Sequence, residues 1–331
     1  MHHRRGVLAL ALAGLAGRSF APPALAQPAL AQPAWPERPV RVVVPYAPGG
    51  GADVVARTLW GRLGELWGQS FIIENRGGGA GIIGAALVAQ AQPDGHTLLH
   101  DATALSVNPA LFEGRLPFDT VRAFRPVFLA GTLPNLLLAN LGVPQRTVPE
   151  VIALARATPE GLNWASGGNG GIQHLAIEMF ARMAGVKLNH VPYKGGAASI
   201  TDVMAGNVKF GFSNAATANS QVRSGLVRVV AHTALGPLES LPGVPAVAET
   251  LPGFEALEWN AVFAPAGVPD AIVMRLNAGL NQALAEPRVR ERLAAVSLQM
   301  RANTPEEAAS FFAAEMAKWG RLVREAGIRP D

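Results

Sequence analysis

Beyond residue 36 the chain alternates between short apolar, β-branched runs and longer stretches whose apolar residues recur at helical spacing. Val40–Val44 has the composition of a strand buried on both faces. A helix follows over Asp53–Trp67, with Val54, Val55, Leu59, Leu63 and Leu66 on one face. Phe71–Glu74 and His96–His100 read as strands, and a helix over Gly84–Ala91 between them ends at the turn Pro93-Asp94-Gly95. The second half repeats the alternation. Helices are expected over Pro149–Ala157, Ile172–Ala184 and from Gly196 to Met204. Strands are expected over Asn163–Ala165, Leu188–Val191, Val208–Phe212 and Leu226–Ala231.

Gly236–Gly253, with Pro237, Pro242, Pro245 and Pro252, reads as surface loop. After a strand at Trp259–Phe263 the pattern is helical over Asp270–Leu284, Pro287–Ala295 and Pro305–Ala326. Strands and helices at this spacing imply βαβ units and a mainly parallel sheet, an α/β fold.

Two places share one plan: a β-rich run, a glycine-rich turn, then an amphipathic helix. The first turn is Pro45-Tyr46-Ala47-Pro48-Gly49-Gly50-Gly51-Ala52-Asp53, and the second is Ser166-Gly167-Gly168-Asn169-Gly170-Gly171. A glycine turn that opens a helix presents unpaired N–H groups at the positive end of the helix dipole, which attracts anions. Two such turns more than a hundred residues apart suggest two lobes, each offering half of a site for a small anion. Glycines also serve close packing of helix on strand, the simpler role for any one of them.

Residues 1–26 read as an export signal. Arg4 and Arg5 precede the apolar run Gly6–Gly17, which is too short to span a bilayer, and small residues follow. Cleavage is expected near Ala26 or Ala31, because Pro-Ala-Leu-Ala-Gln occurs twice, at 23–27 and 28–32. Residues 27–36 form a Pro-rich leader. Removing 1–26 takes away three arginines and no acid, so the formal charge of +4 falls to about +1. No basic run remains to neutralise a phosphate backbone, which argues against a nucleic-acid partner. With no cysteine there are no disulfides, thiolate metal sites or Cys nucleophiles. The five histidines beyond the signal, at 96, 100, 174, 190 and 232, are scattered, and neither a metal nor a cofactor is expected.

Several motifs carry a resemblance. Pro39-Val40-Arg41-Val42-Val43-Val44-Pro45-Tyr46 with Gly49-Gly50-Gly51-Ala52-Asp53, then Glu74-Asn75-Arg76, Pro93-Asp94-Gly95-His96-Thr97-Leu98-Leu99 and Asn108-Pro109-Ala110-Leu111 stand in order. Pro117-Phe118-Asp119, His190-Val191-Pro192-Tyr193-Lys194-Gly195-Gly196, Phe263-Ala264-Pro265-Ala266-Gly267 and Ala326-Gly327-Ile328 follow. Together they resemble the Bug (TctC-like) family, the periplasmic substrate-binding receptors of tripartite tricarboxylate transporters. The resemblance implies a two-lobe, type II-like periplasmic binding protein, each lobe a mainly parallel sheet flanked by helices, with the ligand cleft between. It implies residues 37–132 in the first lobe, 133–257 in the second and 258–331 back in the first. It also implies a small organic carboxylate as ligand, a membrane permease as partner, a monomer and a periplasmic location.

The site expected on this basis comprises Tyr46, Gly49, Gly50, Gly51, Ala52, Asp53, Asp101 and Thr103 from the first lobe. The second lobe supplies Ser166, Gly167, Asn169, Gly170, Gly171, His174, Tyr193 and Asn214. Three departures fall in these loops. The family commonly reads Ser-Ser-Gly-Asn-Gly-Thr-Ser where this chain has Ser166–Ile172. It commonly has Gly-Ser-Ser-Gly-Thr where His100-Asp101-Ala102-Thr103-Ala104 stands, and an Asp where Ser213 precedes Asn214. Asp101 either accepts a hydrogen bond from an amine or hydroxyl of the ligand or caps its own loop.

Two rival readings remain open. Gly79-Ala80-Gly81-Ile82-Ile83-Gly84 spells G-x-G-x-x-G after a strand and before a helix, as in a dinucleotide-dependent oxidoreductase, although Glu74–Gly78 intervenes. A receptor of the same fold could instead serve a signalling partner. No nucleophile elbow surrounds Ser166, since Trp164 stands where Gly would be required.

Overall fold

Val40, Val42, Val43 and Val44 are completely buried, as β-branched residues of an inner strand should be. In the computed structural model, which describes Trp35–Pro330, they form β1 (Val40–Val44). The chain continues through α1 (Gly51–Trp67), β2 (Phe71–Asn75), α2 (Ile82–Ala89), β3 (Thr97–Ala102), α3 (Ala104–Leu111), α4 (Thr120–Ala123) and β4 (Phe124–Ala139). Next come α5 (Val148–Arg156), β5 (Leu162–Ser166), α6 (Ile172–Ala184), β6 (Leu188–Pro192), α7 (Gly196–Ala205), β7 (Phe210–Asn214), α8 (Ala215–Arg223) and β8 (Arg228–His232). The last elements are β9 (Leu257–Pro265), α9 (Asp270–Ala285), α10 (Pro287–Ala294) and α11 (Pro305–Ala326). The export signal and both cleavage sites lie outside the described residues.

The parallel core expected from the alternation is present twice. β1 lies between β2 and β3, both parallel to it, and β5 lies between β6 and β7, again parallel. Two antiparallel strands join these halves. β9 pairs with β3 and with residues 124–134 of β4, whereas residues 135–139 of β4 pair with β7 and β8. One strand thus belongs to both sheets.

β4 is not apparent in the sequence pattern because Pro126, Gly131 and Pro134 interrupt it. Register shifts at Pro126/Phe128 and Leu129/Gly131 absorb two of these interruptions. Beside the second shift, the Asn303 side chain accepts from Leu129 N at 3.0 Å and donates to Leu129 O at 2.8 Å, standing in for a strand partner.

Each sheet has its own apolar core. The first gathers Val43, Leu99, Leu105, Trp259, Phe263 and Phe312. The second gathers Leu137, Trp164, Phe180, Phe210, Phe212 and Phe254, together with Leu111 of α3 and Trp319 and Val323 of α11. α11 therefore starts in the first core and ends in the second. Between them Glu315, 5% exposed, accepts the indole N–H of Trp259 (3.1 Å) and of Trp319 (2.7 Å) and pairs with Lys318. Among the described residues no helix is long and apolar enough to cross a membrane.

Truncating Glu315 strands two buried indole donors. We expect Glu315→Ala to lower unfolding free energy by on the order of 2–4 kcal/mol and Glu315→Gln by about half as much. Urea unfolding followed by circular dichroism checks this, and equal losses would contradict the role given to the acceptor oxygen.

Candidate functional site

Three helices that follow parallel strands open on glycine. α5 and α11 open with complete capping boxes, Thr147 with Glu150 and Thr304 with Glu307. α1, α6 and α7 follow β1, β5 and β6, open on Gly50, Gly171 and Gly195, and have no side-chain cap. Their first N–H groups are thus left at the carboxyl ends of parallel strands, where open α/β sheets take ligands. α1 starts two residues earlier than the apolar spacing suggests, so Gly51 and Ala52 are its first residues. Gly49 and Gly51 are exposed, and Gly49 (φ +79°) and Gly195 (φ +102°) hold conformations that favour glycine.

Asp53 is buried under the first turn. Its Oδ2 accepts from Gly49 N (2.9 Å) and Arg57 Nε (2.8 Å), and its Oδ1 accepts from Asn75 Nδ2 (2.9 Å). These donors hold the carboxyl below its usual range against the upward push of burial. Both oxygens are engaged by the protein, so Asp53 shapes the turn. Thr103 is engaged similarly: its Oγ1 accepts from Trp259 N at 3.1 Å.

Tyr46 and Asp101 come together. Tyr46 Oη donates to Asp101 Oδ1 at 2.8 Å, and the same oxygen accepts from Ala102 N at 2.7 Å. β3 extends to Ala102 rather than ending at His100, which carries Asp101 to the strand's carboxyl end. Asp101 is 1% exposed, and burial pushes its carboxyl up to about 7 despite those two donors. Burial, then the charge of Asp101, moves the Tyr46 phenol well above its ordinary range, and Glu258 adds to the same effect. Glu258 was not expected at the site. It lies on β9, accepts from Asn214 Nδ2 at 2.5 Å, and burial raises its own carboxyl. Asn214 meanwhile caps α8, accepting from Ala216 N at 2.8 Å.

In the second lobe the polar side chains brace the loop. Ser166 is fully buried, and its Oγ lies 2.5 Å from His190 Nε2 and 3.2 Å from Gly168 N. His190 stacks on His174 with ring centroids 3.7 Å apart, and His174 Nδ1 accepts from Gly170 N at 3.0 Å. Tyr193 Oη donates to Asp202 at 2.6 Å, and burial with that bond pushes the phenol up to about 12. Asn169 Nδ2 donates to Arg329 O at 3.2 Å. The expectation of a ligand-facing hydroxyl at Ser166 thus meets a hydroxyl engaged inside the loop.

Backbone contacts bring the remaining turns together. Tyr193 N donates to Ser166 O and Gly195 N to Gly167 O, both at 3.0 Å, joining the starts of α6 and α7. A Cβ on Gly170 would lie 2.5 Å from Leu111 Cδ2, so the loop rests on α3. From the other lobe Asn108 of α3 donates to Ala80 O at 2.9 Å, and Gly81 lies against Tyr46. In the G-x-G-x-x-G run Gly84 serves packing, since a Cβ there would lie 2.8 Å from Pro45 Cβ, and Gly79 (φ +55°) and Gly81 (φ +85°) serve the turn. A separate groove of about 490 Å³, lined by Leu129, Leu238, Leu257, Met300 and Phe311 among others, is mostly apolar and shares no residue with these turns.

A two-lobed solute-binding protein is the class that this fold and these uncapped turns define. The sequence profile of the tripartite tricarboxylate transporter family receptor matches residues 55–328, and the chain belongs to that family. It is 39% identical over 313 residues to a UPF0065 protein from the tcbD-tcbE intergenic region of Pseudomonas sp. (strain P51), covering 94% of this chain and 93% of that one. Protein BugT of Bordetella pertussis is 33% identical over 298 residues, 89% of this chain and 91% of BugT. Among solved structures, R. palustris Rpa4515 with adipate superposes with a TM-score of 0.79 at 32% identity, over 90% of this chain and all of that one. MatC from Rhodopseudomonas palustris with bound malate gives 0.75 at 32% identity, over 87% and 100%. The family and these neighbours are solute-binding proteins, not enzymes.

The buried carboxyl gives a pH test. The folded state raises Asp101 from an ordinary 3.8 to about 7, so between those values the folded chain binds the extra proton. Its stability contribution is complete below about pH 4 and is lost progressively as pH rises through about 7. Asp101→Asn removes that loss. The melting temperature of the variant should gain on the native chain from pH 4 to pH 8, by the equivalent of on the order of 2–4 kcal/mol. A constant difference across that range would contradict the assignment.

Proposed function

We propose that this chain is an exported, monomeric receptor that captures a small carboxylated metabolite between its lobes and delivers it to a tripartite membrane permease. The carrying observation is that α1, α6 and α7 begin on glycine without a side-chain cap at the ends of parallel strands, in a chain of this family. The ligand carboxylate takes the place of the missing caps. Amides of Gly51 and Ala52 serve one end, and those of Gly167 and Gly171 the other, joined by the start of α7 at Gly195–Gly196, while the Gly49, Gly50 and Gly170 amides are engaged by Asp53, Ala47 and His174 in shaping the turns. Asp53, Thr103, Ser166, Asn169, His174 and Tyr193 keep these turns in shape, and Asn214 with Glu258 links the second lobe to β9.

The magnitudes are sufficient. A hydrogen bond to a charged group nets roughly 1.5–3 kcal/mol, and a partly buried helix terminus adds up to ~2 kcal/mol. Two such bonds from each lobe reach the roughly 8 kcal/mol of a micromolar complex without an arginine. The adipate and malate in the neighbours' structures support a carboxylate for this chain. Binding biases an equilibrium between open and closed arrangements of the lobes. Trp60, Trp164, Trp259 and Trp319 are fully buried, so their fluorescence reports folding better than closure.

A thermal-shift screen of di- and tricarboxylates, aromatic acids and amino acids tests the reading. An acid at about a hundred times its Kd should raise the melting temperature by roughly 5 °C or more. Deleting the gene should abolish uptake of that acid by the host. A screen in which no acid shifts the protein while neutral solutes do would contradict the carboxylate reading, and intact uptake would contradict the permease.

A further inference from the structure

The acids of this protein divide into two kinds. Asp53 and Glu315 are buried and saturated: Asp53 takes three donors on two oxygens, and Glu315 takes two indoles and Lys318. Asp101 and Glu258 are different. Asp101 Oδ1 takes Tyr46 Oη and Ala102 N, but Oδ2 accepts no hydrogen bond from the protein. Oδ2 is also not among the fully enclosed atoms that lack a partner, so the small residual exposure of the residue reaches it. Glu258 uses Oε2 on Asn214, and its Oε1 is likewise unengaged and not enclosed. Among the described residues neither carboxyl has an Arg, Lys or His within ion-pair distance.

A buried carboxyl acting only as a structural brace is ordinarily saturated, as Asp53 is, because each unsatisfied lone pair costs desolvation. Both unsaturated acids act on the same phenol, Tyr46, whose loop leads into the glycine start of α1. Tyr46 Oη has given its only proton to Asp101, so it has none left for a ligand acid. Above about pH 7, where Asp101 is ionised, a second ligand carboxylate placed here would meet two acids and no donor. A hydroxyl or ammonium group would meet free acceptors.

We infer that Asp101, supported by Glu258, is the specificity-determining residue of this site: it accepts a hydrogen bond from a hydroxyl or ammonium group on an acid whose carboxylate lies on the main-chain amides. This rests on the receptor reading above and adds the second functional group of the ligand and its orientation. A plain dicarboxylate lacks that group.

Isothermal titration with matched acids tests it: malate and aspartate against succinate, and 6-aminohexanoate against adipate. On the native chain at least one donor-bearing acid should bind tenfold or more tightly than its donor-free counterpart, malate reporting a hydroxyl and the amino acids an ammonium. In Asp101→Ser and Asp101→Asn that preference should fall to within about threefold, with the carboxylate still bound and circular dichroism unchanged. Succinate and adipate both binding as tightly as their counterparts, or a preference surviving in both variants, would overturn the inference and leave the receptor reading standing. Failure of every acid to bind at millimolar concentration would overturn both.

Discussion

Everything at the site depends on β4 belonging to two sheets. Its first eleven residues pair with β9 and its last five with β7 and β8, so a single backbone carries the first lobe into the second. Register follows from this. Pro134 stands opposite Leu257 and Asn135 opposite Asn214, which brings Glu258 of β9 within reach of the Asn214 amide. Proline and glycine along β4 break the ladder where the strand must bend, and Asn303 satisfies the backbone groups left at Leu129.

On that frame the protein treats its polar groups in two ways. Away from the strand ends, α5 and α11 open with complete capping boxes and the buried Glu315 is saturated. At the strand ends the caps are missing on α1, α6 and α7, and Asp101 and Glu258 keep unused oxygens. Unsatisfied donors and unsatisfied acceptors near one another are unfavourable in an empty protein and become favourable when a molecule of complementary chemistry joins them. The side chains nearest the glycines, Asp53, Ser166 and His174, are engaged in holding the loops. On the proposed function, recognition falls mainly to the main chain, and side chains preorganise it.

Much of this is legible in residue order. Val40–Val44 as a strand and Ile172–Ala184 and Pro305–Ala326 as helices coincide with the structure, because each is a strongly periodic or uniformly apolar segment with clear ends. β4 was hidden because its prolines mimic loop, α3 because it is short and contains Pro109, and α8 because it is short and mostly polar. Glu258 could not be read as a site residue. It sits one position before Trp259, and only strand register brings it to Asn214, 44 residues away. Asp101 stands out in the sequence through its departure from the family pattern, and its ligand role is a proposal, whereas the engagement of Asp53 and Ser166 required the hydrogen bonds themselves.

The central claim is that main-chain amides from both lobes hold an acidic ligand without a basic side chain. A crystal structure of the protein with the acid that stabilises it most tests this directly. The account predicts carboxylate oxygens about 3 Å from the amide nitrogens of Gly51 or Ala52 on one side and of Gly171 on the other. A ligand held by an arginine or lysine, or resting against one lobe alone, would contradict it.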